Sequence, residues 1–374
     1  MSALAAAGAL LAAGCGSSGG SNSGSAPASD ATWQTATSAA DGGGMAALVA
    51  AAKQEGTLNV ITLPKNWANY GTIMADFTKK YGIKINDANP DGSSQDEINA
   101  VKQLKGQSRA PDVLDMGTSF AIGAATDGLL APYKVASWDQ IPANEKAADG
   151  SWFDDYGGYV AIGYDSKKIT DPPTSFHDLL KPEYKNEVGI NGNPTQAGAA
   201  FAAVYAASLA NGGSFGNIQP GIDYFKRLHQ VGNFVPVTAG PSTVQSGQTP
   251  IVIWWDYLLG SEVAAQNPNF KIVIPSDGQY ASYYTQAISK TAPHPAAARL
   301  WEEYLYSVTG QNLWLDGGAR PVELASLVQN NSVNQTAYHT LPQAPTGALT
   351  FPSVSQLTKA QTAVSQGWSA AVGG

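Results

Sequence analysis

The sequence predicts an α/β fold in two domains, built on mainly parallel sheets with helices on their faces. Three observations lead to this prediction. The chain has 374 residues, which is more than one small core usually holds. From residue 45 onward, short apolar runs alternate with helical segments, and the connections between them are short. Hydrophobic residues make up 43% and charged residues 13%, which is typical of a globular protein with a lightly charged surface.

The first part of the chain contains three pairs of helix and strand. Gly56 and Gly82 each follow a helical segment, as glycine often does just past a helix end. Ile73, Met74 and Phe77 recur at helical spacing and give the second helix an apolar face. The predicted helices are 45–56, 71–82 and 94–106, and the predicted strands are 57–63, 83–87 and 111–117.

The same alternation continues along the rest of the chain. An Ala-rich run predicts a long helix over 194–213, with Asn193 as its cap and Pro194 in its first turn. Ser175 is the expected cap of a short helix. The further predicted strands are 158–165, 187–190, 250–256 and 270–275, and the further predicted helices are 175–182, 219–231, 295–308 and 355–372.

The start of the chain resembles the lipobox of a bacterial lipoprotein. Small and apolar residues run up to Gly14, and Cys15, the single cysteine of the chain, is followed by Gly and Ser. We expect residues 1–14 to be a signal peptide and Cys15 to carry a lipid anchor. Two features depart from the pattern, because Ala12 is small for its position and no Lys or Arg precedes Cys15. Residues 15–43 are expected to be this lipidated cysteine and a flexible tether, since they offer little to bury.

Charge and motif content argue against several classes of protein. A net charge of −8 and a pI of 5.0 disfavour nucleic-acid binding, which needs a basic surface. The single cysteine rules out a disulfide framework and a cysteine-based metal site. The sequence contains no His-Glu-x-x-His and no Gly-rich phosphate loop, and its four histidines are scattered. We therefore expect a protein that is not an enzyme and that uses no cofactor and no metal.

Residues 250–260 (PIVIWWDYLLG) place a carboxylate among aromatic rings at the end of an apolar strand. Burying an unpaired carboxylate is costly, so we expect Asp256 to have a partner or a function. One interpretation is that it caps the following helix. The other is that it is the counter-ion of an ammonium group held against aromatic faces. Alternation places Trp254 and Trp255 on opposite sides of the strand, and we favour Trp255 and Tyr257 as the pair that faces a ligand.

Several segments, taken together, resemble the extracellular solute-binding proteins of ABC importers in their lipoprotein form. The order and spacing of the segments carry the resemblance, which covers about residues 45 to 320. Four stretches match the opening helix and strand, the third strand with its ligand loop, the crossover strand and the return helix of that family. They are 50–62 (AAAKQEGTLNVIT), 111–133 (PDVLDMGTSFAIGAATDGLLAPY), 159–169 (YVAIGYDSKKI) and 287–314 (AISKTAPHPAAARLWEEYLYSVTGQNLW).

The resemblance implies a two-lobe periplasmic-binding-protein-like fold of type II. Each lobe would be a mostly parallel sheet flanked by helices, and crossover strands would form the hinge. Residues 44–155 would begin lobe one, residues 156–280 would form lobe two, and residues 281–374 would complete lobe one. The resemblance also implies a monomer outside the cytoplasm, anchored to the membrane by lipid alone. Its partners would be a small solute, an ABC permease and the ATPase of that permease.

Loops that follow strands are expected to line the cleft between the lobes. This argument selects residues after the first and third strands, in the crossover, at the start of the long helix, after the 250–256 strand and in the return crossover. The predicted ligand-binding residues are Trp67, Asn69, Thr118, Ser119, Asp155, Tyr156, Asn193, Thr195, Gln196, Trp255, Asp256, Tyr257 and Tyr284.

These residues leave the ligand open among four chemistries. Asp256 with Asp155 or Asp154 would suit a polyamine, as in the polyamine-binding members that the chain resembles. The helix start at Asn193 suits an anion, so a zwitterion such as an aminoalkylphosphonate would use both features. Thiamine is a further candidate of the same group. Ferric-iron binders of the family use adjacent tyrosines at the position held here by two tryptophans, and the pair Tyr283–Tyr284 lies on a later strand.

Overall fold

The structure is a computed structural model and describes residues 30–342 and 351–373. The helices are α1 (Asp30–Thr35), α2 (Met45–Glu55), α3 (Tyr70–Tyr81), α4 (Ser94–Gln103), α5 (Thr118–Thr126), α6 (Gly198–Ala210), α7 (Gln219–Gln230), α8 (Pro241–Ser246), α9 (Asp256–Leu258), α10 (Pro295–Leu305), α11 (Val308–Asp316), α12 (Leu324–Gln329), α13 (Gln335–Thr340) and α14 (Val354–Val372). The strands are β1 (Thr57–Ile61), β2 (Lys84–Ala88), β3 (Val113–Gly117), β4 (Leu130–Ala131), β5 (Phe153–Asp165), β6 (Val188–Ile190), β7 (Phe234–Thr238), β8 (Ile251–Trp255), β9 (Phe270–Val273), β10 (Ala281–Ser289) and β11 (Arg320–Pro321).

Local sequence signals account for the ends of the early helices. Gly56 and Gly82 follow α2 and α3 with φ of 67° and 74°, a left-handed conformation that glycine adopts without strain. Ser93 caps α4, and the Asp96 carboxylate accepts a hydrogen bond from the Ser93 N–H, which completes a capping box. The predicted helices and strands of this part of the chain are confirmed to within a few residues.

Two long strands, β5 and β10, connect the sheet. The strand order is β3-β10-β5-β8-β6-β7. The first half of β5 pairs with β10 and β11, and its second half pairs with β8 and β9. Every antiparallel pairing between the strands named above includes β5 or β10, whereas β1–β2, β6–β7 and β6–β8 are parallel. The predicted α/β class is confirmed, and the lobe boundaries near residues 155 and 280 stay predictions.

The long Ala-rich helix begins later than predicted. Helix α6 starts at Gly198, and Ala197 stands at its N-cap without a side-chain hydrogen bond. Asn193 instead accepts hydrogen bonds from the backbone N–H and the hydroxyl of Thr195, at 3.0 and 2.9 Å. Asn side chains stabilise such turns as readily as helix starts. Asn193 therefore stabilises a turn before the helix, and the prediction that it caps the helix is wrong.

Residues 30–43 pack onto the folded body and are not part of a flexible tether. Trp33 is fully buried. The carbonyl of Ala36 accepts a hydrogen bond from the Arg299 Nε at 2.9 Å, and the Gln34 side chain donates to the Lys290 carbonyl at 2.8 Å. The lone Trp33 in a polar stretch was the signal for this anchoring, because an indole provides a large apolar surface to bury. Cys15 and residues 1–14 lie outside the described residues.

The last helix, α14, packs against both α5 and α7. Trp368 of α14 packs on Phe225 and Phe234, with ring centroids 5.3 and 6.2 Å apart. Ser119 at the start of α5 donates to the Gln361 side chain at 3.1 Å. The segment 281–374 was predicted to pack with the first part of the chain. Its last helix, α14, also packs against α7, which lies in the predicted second lobe. Among the described helices, none combines the length and the apolar character that crossing a bilayer would need.

Candidate functional site

A cavity of about 480 Å³ lies between two walls from different parts of the chain. This volume falls within the range of small-molecule sites. The backbone N–H of Gln95 donates to the carbonyl of Gln196 at 3.2 Å and joins the walls at one side. The first wall consists of Thr62, Pro64, Asn66, Trp67, Pro90, Asp91, Gly92, Ser93, Ser94, Asp96, Glu97 and Asp115, and the second of Asn191, Gly192, Asn193, Gln196, Ala197, Gly198, Ala199, Thr238, Ala239, Gly240, Pro241, Ser242, Trp254, Glu262 and Tyr284.

Three aromatic rings form one side of the cavity. Trp67 meets Trp254 and Tyr284 edge to face, with centroid distances of 5.8 and 5.5 Å. Behind them Tyr156 stacks on Tyr284 at 5.7 Å with nearly parallel rings. This rigid apolar surface suits the methylene groups or the cationic end of a ligand.

A hydrogen-bonded chain connects the aromatic side to a buried acid. The Trp67 indole donates to the Tyr156 hydroxyl at 2.7 Å, and that hydroxyl donates to Oδ2 of Asp115 at 2.8 Å. Oδ1 of Asp115 is buried and has no hydrogen-bond partner. An unsatisfied buried oxygen is unfavourable, so Oδ1 has the capacity to accept a further hydrogen bond.

The charged residues of the lining are all acidic. No Lys, Arg or His occurs among the cavity residues given above. Burial raises the pKa of Asp115 to about 7, although the hydrogen bond from the Tyr156 hydroxyl opposes the rise. Burial also raises the pKa of Glu262 to about 7 and that of Glu97 well above its usual range. The five carboxyl groups are Asp91, Asp96, Glu97, Asp115 and Glu262.

These raised pKa values predict that the unliganded protein loses stability as the pH rises. A carboxyl whose pKa is higher in the folded state stabilises the fold below its unfolded pKa, near 4.5, and this contribution is lost as the pH rises through about 7. We expect the free energy of unfolding, measured with urea, to fall between pH 5 and pH 8. Glu262→Gln should reduce that fall by about 1–2 kcal/mol, because it removes one such group. Glu183→Gln, on the exposed surface, is the matched control and should leave the pH profile as it is; a Glu262→Gln profile that matches the control contradicts the prediction.

The structure brings some of the predicted ligand-binding residues to the cavity. These are Trp67, Asn193, Gln196 and Tyr284. A second, much smaller pocket behind the aromatic side is lined by Thr118, Ser119 and Trp255, together with Tyr284. There the Thr118 hydroxyl donates to Asp154 and to the Tyr283 carbonyl, both at 3.2 Å.

Other predicted residues lie away from the cavity lining. The Asn69 side chain donates to the Leu313 carbonyl at 2.7 Å, and Thr195 is engaged with Asn193. Asp155 is fully buried and accepts hydrogen bonds from the Tyr156 N–H and the Gln286 side chain. Tyr156 and Tyr257 support the aromatic side from behind, with centroids 6.0 Å apart.

Asp256 is held in a buried ion pair and does not line the cavity. Its Oδ2 lies 2.8 Å from Nη1 of Arg320, and its Oδ1 accepts the Tyr159 N–H at 3.0 Å. The Arg320 guanidinium also stands over the Tyr159 ring at 4.8 Å. Burial raises the pKa of Asp256, and the Arg320 charge opposes that rise. This placement does not match the expected counter-ion role, and the N-cap of α9 is Trp255 rather than Asp256.

Trp254, not the favoured Trp255, faces the cavity. The two side chains point to opposite sides of β8, as alternation requires, but the pattern alone did not say which side was which. The tyrosine pair is separated in the same way. Tyr284 lines the cavity, whereas Tyr283 packs on Phe351 with centroids 5.8 Å apart. In the described part of the chain, no three His, Cys, Asp or Glu side chains are arranged to hold a metal ion.

Sequence reasoning missed the acids of the cavity, and one of them carried a usable signal. Glu97 lies on the buried stripe of α4 with Ser94, Ile98 and Val101, at helical spacing. A carboxylate on an otherwise inward-facing stripe marks a site that needs a partner. Asp115 stands within a strand that is buried throughout, where the same reasoning applies.

Comparison with known proteins gives one family match and several partial relatives. A family model described as bacterial extracellular solute-binding protein matches residues 108–344, more than half of the chain. A Salmonella typhimurium periplasmic protein named for 2-aminoethylphosphonate binding is 28% identical over 203 residues, which are 54% of this chain and 56% of that protein. A Brucella suis protein named for thiamine binding is 29% identical over 140 residues, 36% of this chain and 40% of that protein. The chain thus spans about half the length, or less, of these curated relatives.

Solved structures share the fold at low sequence identity. AfuA from Actinobacillus pleuropneumoniae, a periplasmic binding protein with bound fructose 6-phosphate, gives a TM-score of 0.67 at 19% identity and covers 85% of this chain and 98% of that one. The ferric binding protein from Campylobacter jejuni gives 0.63 at 19% identity, with 84% and 99% covered. The predicted two-lobe periplasmic-binding-protein fold is confirmed by these likenesses.

Proposed function

The chain belongs to the bacterial extracellular solute-binding proteins, and from this premise we propose that it captures a small solute carrying a protonated amine and delivers it to an ABC permease. The acidic lining of the cavity is the observation that carries the proposal. Five carboxyl groups and no basic side chain surround it. Because opposite charges attract strongly in a site shielded from water, such a cavity favours a cation over a neutral or anionic solute.

The aromatic side of the cavity supports the same class of ligand. Cation–π contacts contribute about 0.5–2 kcal/mol each, and the rings of Trp67, Trp254 and Tyr284 also present apolar faces to methylene groups. A polyamine-like solute would use both features. Binding would favour the closed arrangement through contacts to both walls, and a cytosolic ATPase would drive uptake through the permease.

An aminoalkylphosphonate is the second candidate. Gly198 and Ala199, the first two residues of α6, line the cavity, and backbone N–H groups at a helix start favour an anion. The relative named for 2-aminoethylphosphonate supports this zwitterion, and the relative named for thiamine supports another amine-containing cation. Ferric iron has less support, because one tyrosine of the Tyr283–Tyr284 pair faces away from the cavity.

The proposed setting is the outer face of the cell membrane. Cys15 would carry a lipid after removal of residues 1–14, and the folded body would act as a monomer tethered near its permease. No catalysis is part of this proposal, and the protein would act without a cofactor or a bound metal.

We expect a thermal-shift screen to single out amine-containing solutes. The panel is 1,4-diaminobutane, spermidine, 2-aminoethylphosphonate, thiamine, ferric citrate and fructose 6-phosphate. A ligand at 100 times its dissociation constant should stabilise the protein by about 2.7 kcal/mol. Fructose 6-phosphate, which has no amine, is the control that should leave the melting temperature unchanged.

The same screen separates the proposal from its alternatives. Stabilisation by ferric citrate alone, with a visible charge-transfer band, contradicts the amine proposal in favour of iron. Turnover of any compound, followed by mass spectrometry, would identify an enzyme instead. Stabilisation by fructose 6-phosphate and by no amine would contradict the argument from the acidic lining.

A further inference from the structure

We propose that Asp115 and Glu97 form the cation subsite of the cavity, and that a ligand ammonium group binds there in exchange for a proton. The inference rests on the proposed function, since it concerns how an amine is held. In the exchange the carboxyl O–H of Asp115 breaks and its proton passes to the buffer. The ammonium group keeps all of its protons and donates a hydrogen bond to the carboxylate that is left, so one positive charge enters as one leaves.

The position of Asp115 is suited to this exchange. It lies on β3 with its side chain in the cavity lining, and its Oδ2 is already occupied by the Tyr156 hydroxyl at 2.8 Å. Its Oδ1 has no partner although the residue is 5% exposed. A ligand N–H is the donor that this oxygen lacks.

Glu97 completes the subsite from the neighbouring helix. Its Oε2 accepts the backbone N–H of Asp115 at 2.8 Å, and the negative charge of Asp115 adds to burial in raising the pKa of Glu97. Glu97 is 1% exposed and lines the same cavity. Two buried carboxyl groups that repel each other in this way do not both ionise unless a positive charge joins them.

No basic group faces Asp115 in the described part of the chain. The titratable groups around it are Glu97 from α4, Asp155 and Tyr156 from β5, Tyr70 from α3, Tyr257 from α9, Tyr284 from β10 and Glu302 from α10. All are acids or phenols. Both carboxyl oxygens of Glu302 lack hydrogen-bond partners, and burial raises its pKa well above the usual range.

The consequence is an affinity that depends on pH. Burial raises the pKa of Asp115 to about 7, so below that pH the bound proton must leave before the ammonium group can pair. Linkage then predicts that affinity for an amine rises about tenfold per pH unit below pH 7 and levels off above it. A site with a permanently ionised carboxylate would show no such rise.

Isothermal titration of the protein with 1,4-diaminobutane at pH 6.5 tests the exchange. The titration is done in phosphate and in imidazole, two buffers with different ionisation enthalpies. We expect the two heats to differ by the ionisation enthalpy difference multiplied by about one released proton. Equal heats in the two buffers would overturn the proposal while leaving amine binding intact. No binding of 1,4-diaminobutane or 2-aminoethylphosphonate would overturn the proposed function and this inference together.

Variants show which residue releases the proton when the amine binds. Asp115→Asn keeps the size of the side chain but cannot release a proton, so the buffer dependence of the heat and the rise of affinity with pH should both disappear. Unchanged proton release in this variant would remove Asp115 from the exchange. Glu183→Gln on the exposed surface is the control and should release the same number of protons as the wild type.

Discussion

Arg320→Ala is expected to lower the free energy of unfolding by about 3–5 kcal/mol, because it leaves Asp256 as a buried charge without its partner. Asp256 is 2% exposed, and its Oδ2 lies 2.8 Å from the guanidinium. The substitution also removes the cation over the Tyr159 ring and the hydrogen bond from Arg320 to the Pro342 carbonyl. Urea unfolding at pH 7 measures the loss.

A surface ion pair of the same length provides the control. Lys102 and Asp127 are also 2.8 Å apart, but about half of each side chain is exposed, so Lys102→Ala should cost about 0–1 kcal/mol. Asp256→Asn combined with Arg320→Met should recover part of the loss, because it removes the buried charge as well as its partner. Equal losses of unfolding free energy for Arg320→Ala and Lys102→Ala would show that the buried pair stabilises the protein no more than the exposed pair does.

Gly198→Ala is expected to weaken ligand binding by about tenfold or more while the melting temperature changes little. A Cβ at Gly198 would lie 2.9 Å from Cα of Gly117, and a Cβ at Gly117 would lie 2.8 Å from Cα of Gly198. Gly198 belongs to the second wall, and Gly117 ends β3, the strand that carries Asp115 of the first wall. Neither glycine has a positive φ, so the obstacle is the close approach of the two backbones. A methyl group there should hold the walls apart and disfavour the closed arrangement that binds ligand.

Titration with 1,4-diaminobutane gives the affinity, and small-angle scattering with saturating ligand gives the radius of gyration, which should be larger in the variant. Gly123→Ala in α5 is the matched control, because its Cβ would meet no atom within 4 Å. Wild-type affinity in Gly198→Ala would contradict the view that closure needs this contact.

The sequence by itself determined the order of the elements and part of the site. Local patterns located the helices that end at Gly56 and Gly82 and the strand 250–256, because helix ends and apolar runs depend on neighbours close in the chain. The argument from strand ends selected Trp67, Asn193, Gln196 and Tyr284, which line the cavity, and their role in binding a ligand stays a prediction. The burial of Trp33 was not predicted, because the segment was judged by its polar composition and its single indole was given no weight.

Only the tertiary structure decided which carboxyl groups line the cavity. Asp256 found Arg320, 64 residues away, and so became part of the support of the cavity rather than of its lining. Asp115 and Glu97 line the cavity, whereas the predicted Asp256 does not, and Trp254 lines it in place of the predicted Trp255. The energy of a buried charge depends on the partners that folding brings within a few ångströms, and no local pattern in the chain records those distances.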